Sequence, residues 1–305
     1  MKKIKVLLFL LVVQLATVQL LGAQEKYEFV LTLTTLPEAK LGFVRHFTFP
    51  FLEGSSPLTQ DNNIALDLTA ELSPVSVNGL VDAVWTPIAF FQLAAGGMIG
   101  SGWKIKLFGK DLYGMGINRD DGSGYSEYSG SAFDGLLWKV KAGGVLQFDL
   151  AALIPGDWNH IVARTYHEIN YLGYTAAGSG ESWYFEVQDG ENVNGFNYYG
   201  NLLIGYQMPI ILDMVGILTE AELFLYDTPG RSNWGDDKIR WKFGLVGNVT
   251  YNENISSALI VQFHTVRNYL ESDWKDLYYR NRTLNNSKPV KFAFYRCVLI
   301  ASYKF

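Results

Sequence analysis

The chain has few of the residues on which several common protein classes depend. Among its 305 residues there is a single cysteine, Cys297, so an internal disulfide is excluded. Only nine prolines and four histidines occur, and charged residues make up just 18%. After residue 23 no uncharged apolar run reaches about 18 residues, which leaves no candidate for a further membrane-spanning helix. The formal charge of −5 argues against a nucleic-acid partner, because such partners need a basic surface.

The N-terminus has the pattern of a secretory signal peptide. Three lysines within the first five residues precede an apolar run over residues 6–21, and the small-residue sequence Leu-Gly-Ala ends at Ala23. We predict a signal peptide over residues 1–23, with Gln24 as the first mature residue. An uncleaved anchor helix is the alternative. Without these three lysines, 22 basic and 30 acidic residues remain, a net charge of −8.

What the chain does have is alternation with a period of two, and this is clearest at its C-terminus. A period of two is typical of a strand with one apolar face. Counting back by twos from the last residue gives an apolar row, while the intervening row from Lys304 to Arg296 is mixed and partly charged. The apolar row is Phe305, Tyr303, Ala301, Leu299, Cys297 and Tyr295.

Three further runs alternate in the same way, at residues 64–73, 138–150 and 238–251, and their polar rows carry full charges. Helical periodicity near 3.6 does not produce such runs. A soluble β-sandwich and a membrane barrel would both alternate. Segments of about 10 to 17 residues are longer than the usual 5 or 6 of globular strands and suit a tilted membrane crossing, which favours the barrel.

An aromatic C-terminal strand behind a secretory leader resembles the last strand of bacterial outer-membrane β-barrel proteins. The sequence Leu-Gly-Ala-Gln around Ala23 and the run from Trp85 to Phe91 also resemble spirochaete surface proteins. The resemblance implies an outer-membrane location, with outer-membrane lipid, periplasmic chaperones and the barrel-assembly machinery as partners. It also implies a C-terminal assembly signal, formed by Phe305, Tyr303, Ala301 and Leu299.

We predict an all-β, transmembrane antiparallel barrel of about ten strands over residues 40–305, with twelve as the alternative. Residues 24–39 are either a lead-in segment or a first strand whose partner would lie in 103–117. The connections divide into short turns and long loops, which we place at opposite ends of the barrel, the long loops outside the cell. The short turns are 73–79, 154–158, 211–216 and 251–255, and the long loops are 52–62, 99–135, 175–195, 228–237 and 271–287. A monomer is expected.

The charged rows supply the candidate lining of the lumen. Both signs are present, so a packed interior ion network and a narrow polar conduit are both open interpretations. The lining candidates are Asp67, Glu71, Lys139, Lys141, Arg164, Glu168, Glu220, Glu222, Arg240, Lys242 and Arg296. Aromatic residues near strand ends are interpreted as interfacial girdles. They are Trp85, Trp103, Trp138, Trp158, Trp241, Tyr174, Tyr251 and Tyr269.

The histidines do not fit the enzymes known on barrels of this size. Omptin proteases use an Asp-x-His element, and outer-membrane phospholipase A and lipid A deacylases use a His-x-Ser pair. None of His46, His160, His167 and His264 has aspartate two positions before it or serine two positions after it. We therefore expect no catalysis, no cofactor and no metal. The predicted function is a narrow channel or transporter for small polar or amphipathic solutes. The alternative is a closed structural or surface-interaction barrel acting through its outer loops.

Overall fold

A computed structural model describes residues 23–36, 38–107, 109–186, 190–225, 234–270 and 277–305. The predicted signal peptide lies outside these residues, apart from Ala23. Seventeen strands and two short 3₁₀ helices, Leu150–Ala152 and Tyr279–Asn281, form within them. Within the same residues no helix is long and apolar enough to cross a membrane. The strands are β1 (Gln24–Thr34), β2 (Glu38–Pro50), β3 (Asn63–Leu72), β4 (Ser76–Ile88), β5 (Phe91–Gly102), β6 (Lys104–Leu107), β7 (Lys110–Tyr113), β8 (Met115–Asp120), β9 (Ser126–Ser129), β10 (Leu137–Asp149), β11 (Ile161–Tyr174), β12 (Ser182–Phe185), β13 (Gly195–Gln207), β14 (Leu212–Phe224), β15 (Arg240–Thr250), β16 (Ile255–Arg267) and β17 (Val290–Lys304).

Twelve of the described strands close into one antiparallel barrel. Their order around the wall is β1, β17, β16, β15, β14, β13, β11, β10, β5, β4, β3 and β2. Closure occurs between the first and last strands, where Glu28 pairs with Lys304 and Thr34 pairs with Val298. Backbone hydrogen bonds in both directions between Tyr27 and Phe305 extend this seam to the C-terminus. Because every strand then has two neighbours, the barrel has no free edge.

The prediction of about ten strands was wrong, and the alternative of twelve is correct. Residues 24–34 pair with β2 along their whole length and form a wall strand. The missing partner does not lie in 103–117. It comes from a tight turn at Ala89 and Phe90, which divides the expected single strand after residue 79 into β4 and β5. This turn lacks glycine, asparagine and aspartate, the residues that normally mark a hairpin. A tertiary contact supports it, because the Ala89 N–H donates to the Leu58 carbonyl at 2.9 Å.

The added strands also change which connections share an end of the barrel. The turn at 73–75 lies at the end that carries the loops 103–136, 175–194, 225–239 and 268–289. The connection 51–62 lies at the opposite end, with both termini. The sequence-based assignment of these two connections was therefore reversed. The loop-bearing end is called the cap end below, and the other the termini end.

Large apolar side chains cover the outside of the barrel. On β10, for example, Val140, Leu146 and Phe148 are exposed, while the intervening Lys139 and Lys141 point inward. On β15, Leu245 is 60% exposed and Lys242 points inward. A water-soluble sheet would place its charged row outside, so this polarity is the one that suits a lipid surround.

Loops fold over one mouth of the barrel to form an ordered cap. We use this name for strands β8, β9 and β12 together with residues 234–236 and 277–285. Strand β8 pairs with both β9 and β12, and Trp183 of β12 is fully buried beside Met115 and Ile117. A second apolar cluster joins Trp234, Tyr269, Tyr279 and Leu284. The cluster around Trp183 and the cluster around Trp234 are connected, because the Ser182 hydroxyl donates to the Tyr278 hydroxyl at 3.0 Å.

The predicted aromatic girdle is only partly correct. Trp158, Trp241 and Tyr251 are exposed on the outer surface or at the termini end. In contrast, Tyr174 and Tyr269 are buried in or beside the cap, because loop side chains cover them.

Candidate functional site

A cavity of about 790 Å³ lies inside the barrel, beneath the cap. Side chains from most wall strands and from the connection between β11 and β13 surround it. Its wall carries seven cationic and five carboxylate side chains, a formal surplus of two positive charges. The cations, called the wall cations below, are Lys40, Lys139, Lys141, Arg240, Lys242, Arg267 and Arg296; the carboxylates are Glu38, Glu71, Glu186, Glu191 and Glu222.

The structure brings seven of the eleven predicted lining residues to this cavity. These are Glu71, Lys139, Lys141, Glu222, Arg240, Lys242 and Arg296. The other four, Asp67, Arg164, Glu168 and Glu220, also belong to inward rows by register but do not line the cavity. Glu168 is buried behind Lys139, and Glu220 is hydrogen-bonded to Tyr199 and Gln262. Asp67 is hydrogen-bonded to His46 nearer the termini end. Arg164 lies on β11, also nearer the termini end than the cavity.

One side of the cavity is organised around Lys40 on β2. Its ammonium lies 3.0 Å from a Glu186 oxygen and 3.5 Å from a Glu71 oxygen. Asn78 donates to both of these carboxylates at 3.2 Å. Glu38 at the start of β2 accepts from Arg296 at 3.3 Å. Paired carboxylates of this kind offset the cost of holding the cations away from bulk water.

The opposite side is organised around Glu222 on β14. One of its oxygens accepts from Lys242 at 2.6 Å, and the other lies 3.1 Å from Arg240. The register of β14 and β15 explains these contacts, since Glu222 pairs directly with Arg240 and Glu220 with Lys242. Arg240 also lies 3.6 Å from Glu191, which reaches down from the connection before β13.

A bulge in the last strand places an aromatic ring between the two sides. Phe294 pairs with Phe263 and Arg296 with Gln262, so Tyr295 is the extra residue. Its ring stacks on His264 with centroids 4.4 Å apart, and it lies 4.9 Å from the Arg296 guanidinium. Lys242 lies 5.8 Å from the same ring. Cations next to a ring face are attracted by its quadrupole, so Tyr295 helps to hold both side chains toward the cavity.

The third group of charges lies on β10. Lys139 contacts Glu168, which also accepts from the Tyr166 hydroxyl at 2.6 Å and from Asn170 at 2.9 Å. Lys141 contacts Asp82 across Gly96 of β5. A Cβ atom at Gly96 would collide with both of these side chains, so glycine is needed where the ion pair crosses the strand.

Below the cavity the inward rows are apolar on one part of the wall, whereas His46, Asp67 and Arg164 keep the other part polar. On β13 to β17 the register turns Leu203, Leu218, Val246, Ile260 and Ile300 toward the interior. Among the described residues, no group of His, Cys, Asp or Glu could hold a metal ion.

Several cavity residues were missed by reasoning from the sequence. Glu38 and Lys40 lie on β2. Glu38 comes before residue 40, where the barrel was predicted to begin, and Lys40 lies at that boundary. Glu186 and Glu191 belong to a connection interpreted as an outer loop, and only the dense run Trp183-Tyr184-Phe185 signals that this segment is buried. Tyr295 was placed on the outer row, because the bulge reverses the facing of residues before it.

Glu191 is partly buried in this cluster, and its ionisation depends on two arginines. Burial alone would raise the pKa of its carboxyl. The guanidinium groups of Arg267 and Arg240 outweigh that effect and hold the pKa below its ordinary value. Glu191 therefore stays charged at neutral pH.

Comparisons with known proteins find only distant likenesses among solved structures. No family model matches the chain, and no curated protein matches it. The KdgM porin in complex with disordered oligogalacturonate is 10% identical, with 92% of this chain and 99% of that chain covered and a TM-score of 0.37. OmpT, an outer membrane protein of Vibrio cholerae, is 8% identical, with coverages of 94% and 99% and a TM-score of 0.31. An anion-selective porin from Comamonas acidovorans is 5% identical, with coverages of 93% and 100% and a TM-score of 0.29. At such values the function has to be argued from the chain's own residues.

Proposed function

We propose that this chain is an outer-membrane β-barrel that admits small polar or amphipathic solutes through its lumen. The observation that carries the proposal is the cavity of about 790 Å³, enclosed by twelve strands and lined by charges of both signs. An interior packed solid with ion pairs would leave no such space. The apolar outer row supports a lipid surround.

This proposal implies the partners and location expected from the sequence. The partners are outer-membrane lipid, periplasmic chaperones and the barrel-assembly machinery. The location is the outer membrane, which the chain reaches after export by a cleaved signal peptide. The chain acts as a monomer and has no catalytic step. Phe305 supports the role of the last strand in assembly, because its ring stacks on Tyr27 and Tyr303 at centroid distances of 5.5 Å and 5.7 Å.

Conductance of the purified, refolded chain in planar lipid bilayers tests the proposal. We expect discrete current steps in potassium chloride, altered by Lys242→Glu, which reverses a charge on the cavity wall. Lys106→Glu, on the hairpin of β6 and β7 outside the wall, is the matched control and should leave the current unchanged. Correctly folded protein that never conducts, in any variant, would refute the channel.

A second candidate function is a closed barrel that contacts other molecules through the cap. It is favoured by the order of the cap, which presents Tyr125 and Tyr128 at 43% and 42% exposure. Tyrosine beside glycine and serine is suited to adaptable recognition. Under this alternative no current would flow, and replacing Tyr125 and Tyr128 by serine would abolish attachment of barrel-bearing vesicles to host or envelope material.

A further inference from the structure

The two signs of charge in the cavity come from different parts of the fold. All seven wall cations are on barrel strands. Of the five carboxylates, Glu38, Glu71 and Glu222 are also on strands, but Glu186 and Glu191 come from the connection between β11 and β13. The barrel wall alone is therefore strongly cationic at this level, and the cap connection supplies two of its counter-charges.

Glu186 is held as a bound carboxylate ligand would be held. One of its oxygens accepts from the Lys40 ammonium at 3.0 Å. The other accepts from the Ser76 hydroxyl at 2.6 Å and from the Asn78 amide at 3.2 Å. Both oxygens of one carboxylate are thus bound by groups on β2 and β4, and its side chain is only 11% exposed.

The backbone of Glu186 is in a conformation that its residue type rarely adopts. Its φ is +54°, the left-handed region that favours glycine. Such a conformation persists only where the surrounding contacts determine it. The Glu186 N–H donates to the Gly114 carbonyl of the neighbouring connection at 2.7 Å, and the carboxylate contacts hold the other side. The segment is shaped to deliver this carboxylate into the lumen.

Glu191 occupies a second cationic position, on the other side of the cavity. It forms an ion pair with Arg267 and lies 3.6 Å from Arg240. Arg267 is itself oriented by the Gly235 carbonyl at 2.7 Å and by the Trp234 ring at 4.9 Å. Two separate carboxylates of one connection thus meet two separate cationic positions of the wall.

We propose that these two positions are separate binding sites for the carboxylate groups of small solutes, and that Glu186 and Glu191 occupy them as internal, displaceable ligands. In the resting state the carboxylates of Glu186 and Glu191 neutralise the two sites. A solute carboxylate competes with either glutamate and replaces its contacts. The solute's passage rests on the proposed channel function, whereas its binding does not.

The proposal predicts that removing the internal ligands strengthens solute binding. An internal competitor lowers the apparent affinity in proportion to the fraction of time that it occupies the site. The variant Glu186→Gln/Glu191→Gln keeps the side-chain shapes, and the new amide oxygen at position 186 can still accept from Ser76 and Asn78. We expect its dissociation constant for succinate to be lower than that of the parent chain by about tenfold or more.

Isothermal titration calorimetry of the folded full chain in detergent micelles measures this dissociation constant directly. Succinate is the probe, and the uncharged succinamide is the comparison ligand. The matched control is Glu181→Gln, in the same connection, whose carboxylate pairs with Arg119 away from the cavity. Glu186→Gln alone should give part of the gain. Adding Lys40→Gln to the double variant should remove the part of the gain that belongs to the Lys40 position, because it deletes the cation that the solute would use there.

Three results would overturn the proposal: unchanged succinate affinity in the double variant, an equal gain in Glu181→Gln, or binding of succinamide as tight as that of succinate. An equal gain in the control would mean that a loosened cap, rather than a vacated cation site, causes the effect. The channel is judged separately by conductance. Current without the binding pattern refutes the internal ligands alone, and the binding pattern without current refutes the channel alone.

Discussion

Replacing Glu222 by glutamine tests how the cavity wall controls the passage of ions. Glutamine keeps the shape of the side chain but removes the charge that lies 2.6 Å from Lys242 and 3.1 Å from Arg240. Four carboxylates would then face seven cations, so the formal surplus rises from two positive charges to three. Both β15 cations are left turned toward the solute path.

The size of the effect follows from Coulomb's law. One unit charge about 5 Å from a permeating ion contributes about 0.8 kcal/mol in a water-filled lumen, which is roughly a fourfold change in the local concentration of that ion. The effect has opposite signs for chloride and potassium, so their permeability ratio changes by up to about sixteenfold before salt screening. We expect a several-fold rise in chloride over potassium at ordinary salt.

The assay is the reversal potential across a planar bilayer with a potassium chloride gradient. Glu127→Gln, on the exposed strand β9, removes one carboxylate outside the cavity and is the control. Heat-modifiable gel migration confirms that each variant is folded. An unchanged ratio, a shift toward potassium, or an equal shift in the control would refute the role assigned to Glu222.

Three further predictions concern assembly and the cap. Phe305→Ala removes ring contacts with Tyr27 and Phe29, and it should lower the free energy of unfolding by about 1–3 kcal/mol, seen as a lower gel-shift temperature; Lys304→Ala should not. Trp183→Ala leaves a cavity at a fully buried position and should destabilise the cap by about 3–5 kcal/mol. Protease should then cut the loops faster while the barrel stays intact, and unchanged cleavage would contradict this. Because the folded-state pKa of Glu191 is lowered, its contribution is complete above about pH 5 and is lost as pH falls through the folded value. Loop cleavage should therefore be flat between about pH 8 and 6 and rise below about pH 4, and a rise already at pH 6 would count against it.

The alternating rows could be predicted from the sequence because facing in a strand is local. Each residue's side is set by its parity, so the inward positions of Lys139, Lys141, Arg240 and Lys242 followed from counting. The number of strands did not follow, because the turn at Ala89 and Phe90 depends on a tertiary contact rather than on turn residues. Two omissions then cancelled. The prediction left out β1 and also the turn at Ala89 and Phe90 between β4 and β5. Because two strands were missing, every later loop was still assigned to the correct end of the barrel.

The cap could not be predicted for a different reason. Strand β12 pairs with β8, which lies more than sixty residues earlier in the chain, as Ser182 does with Asn118. No local pattern chooses such a partner. Glu186 and Glu191 looked like ordinary loop carboxylates, and only their long-range contacts with Lys40 and Arg267 bring them into the cavity.

The most direct test of the account is the labelling of single cysteines along β15 in membranes, in a Cys297→Ser background. Cysteine at positions 242 and 244 should react with a small water-soluble maleimide through the lumen. Cysteine at 243 and 245 should be protected by lipid and should react only after detergent extraction. Equal labelling at all four positions in intact membranes would contradict a barrel with its charged face enclosed and its apolar face in the bilayer.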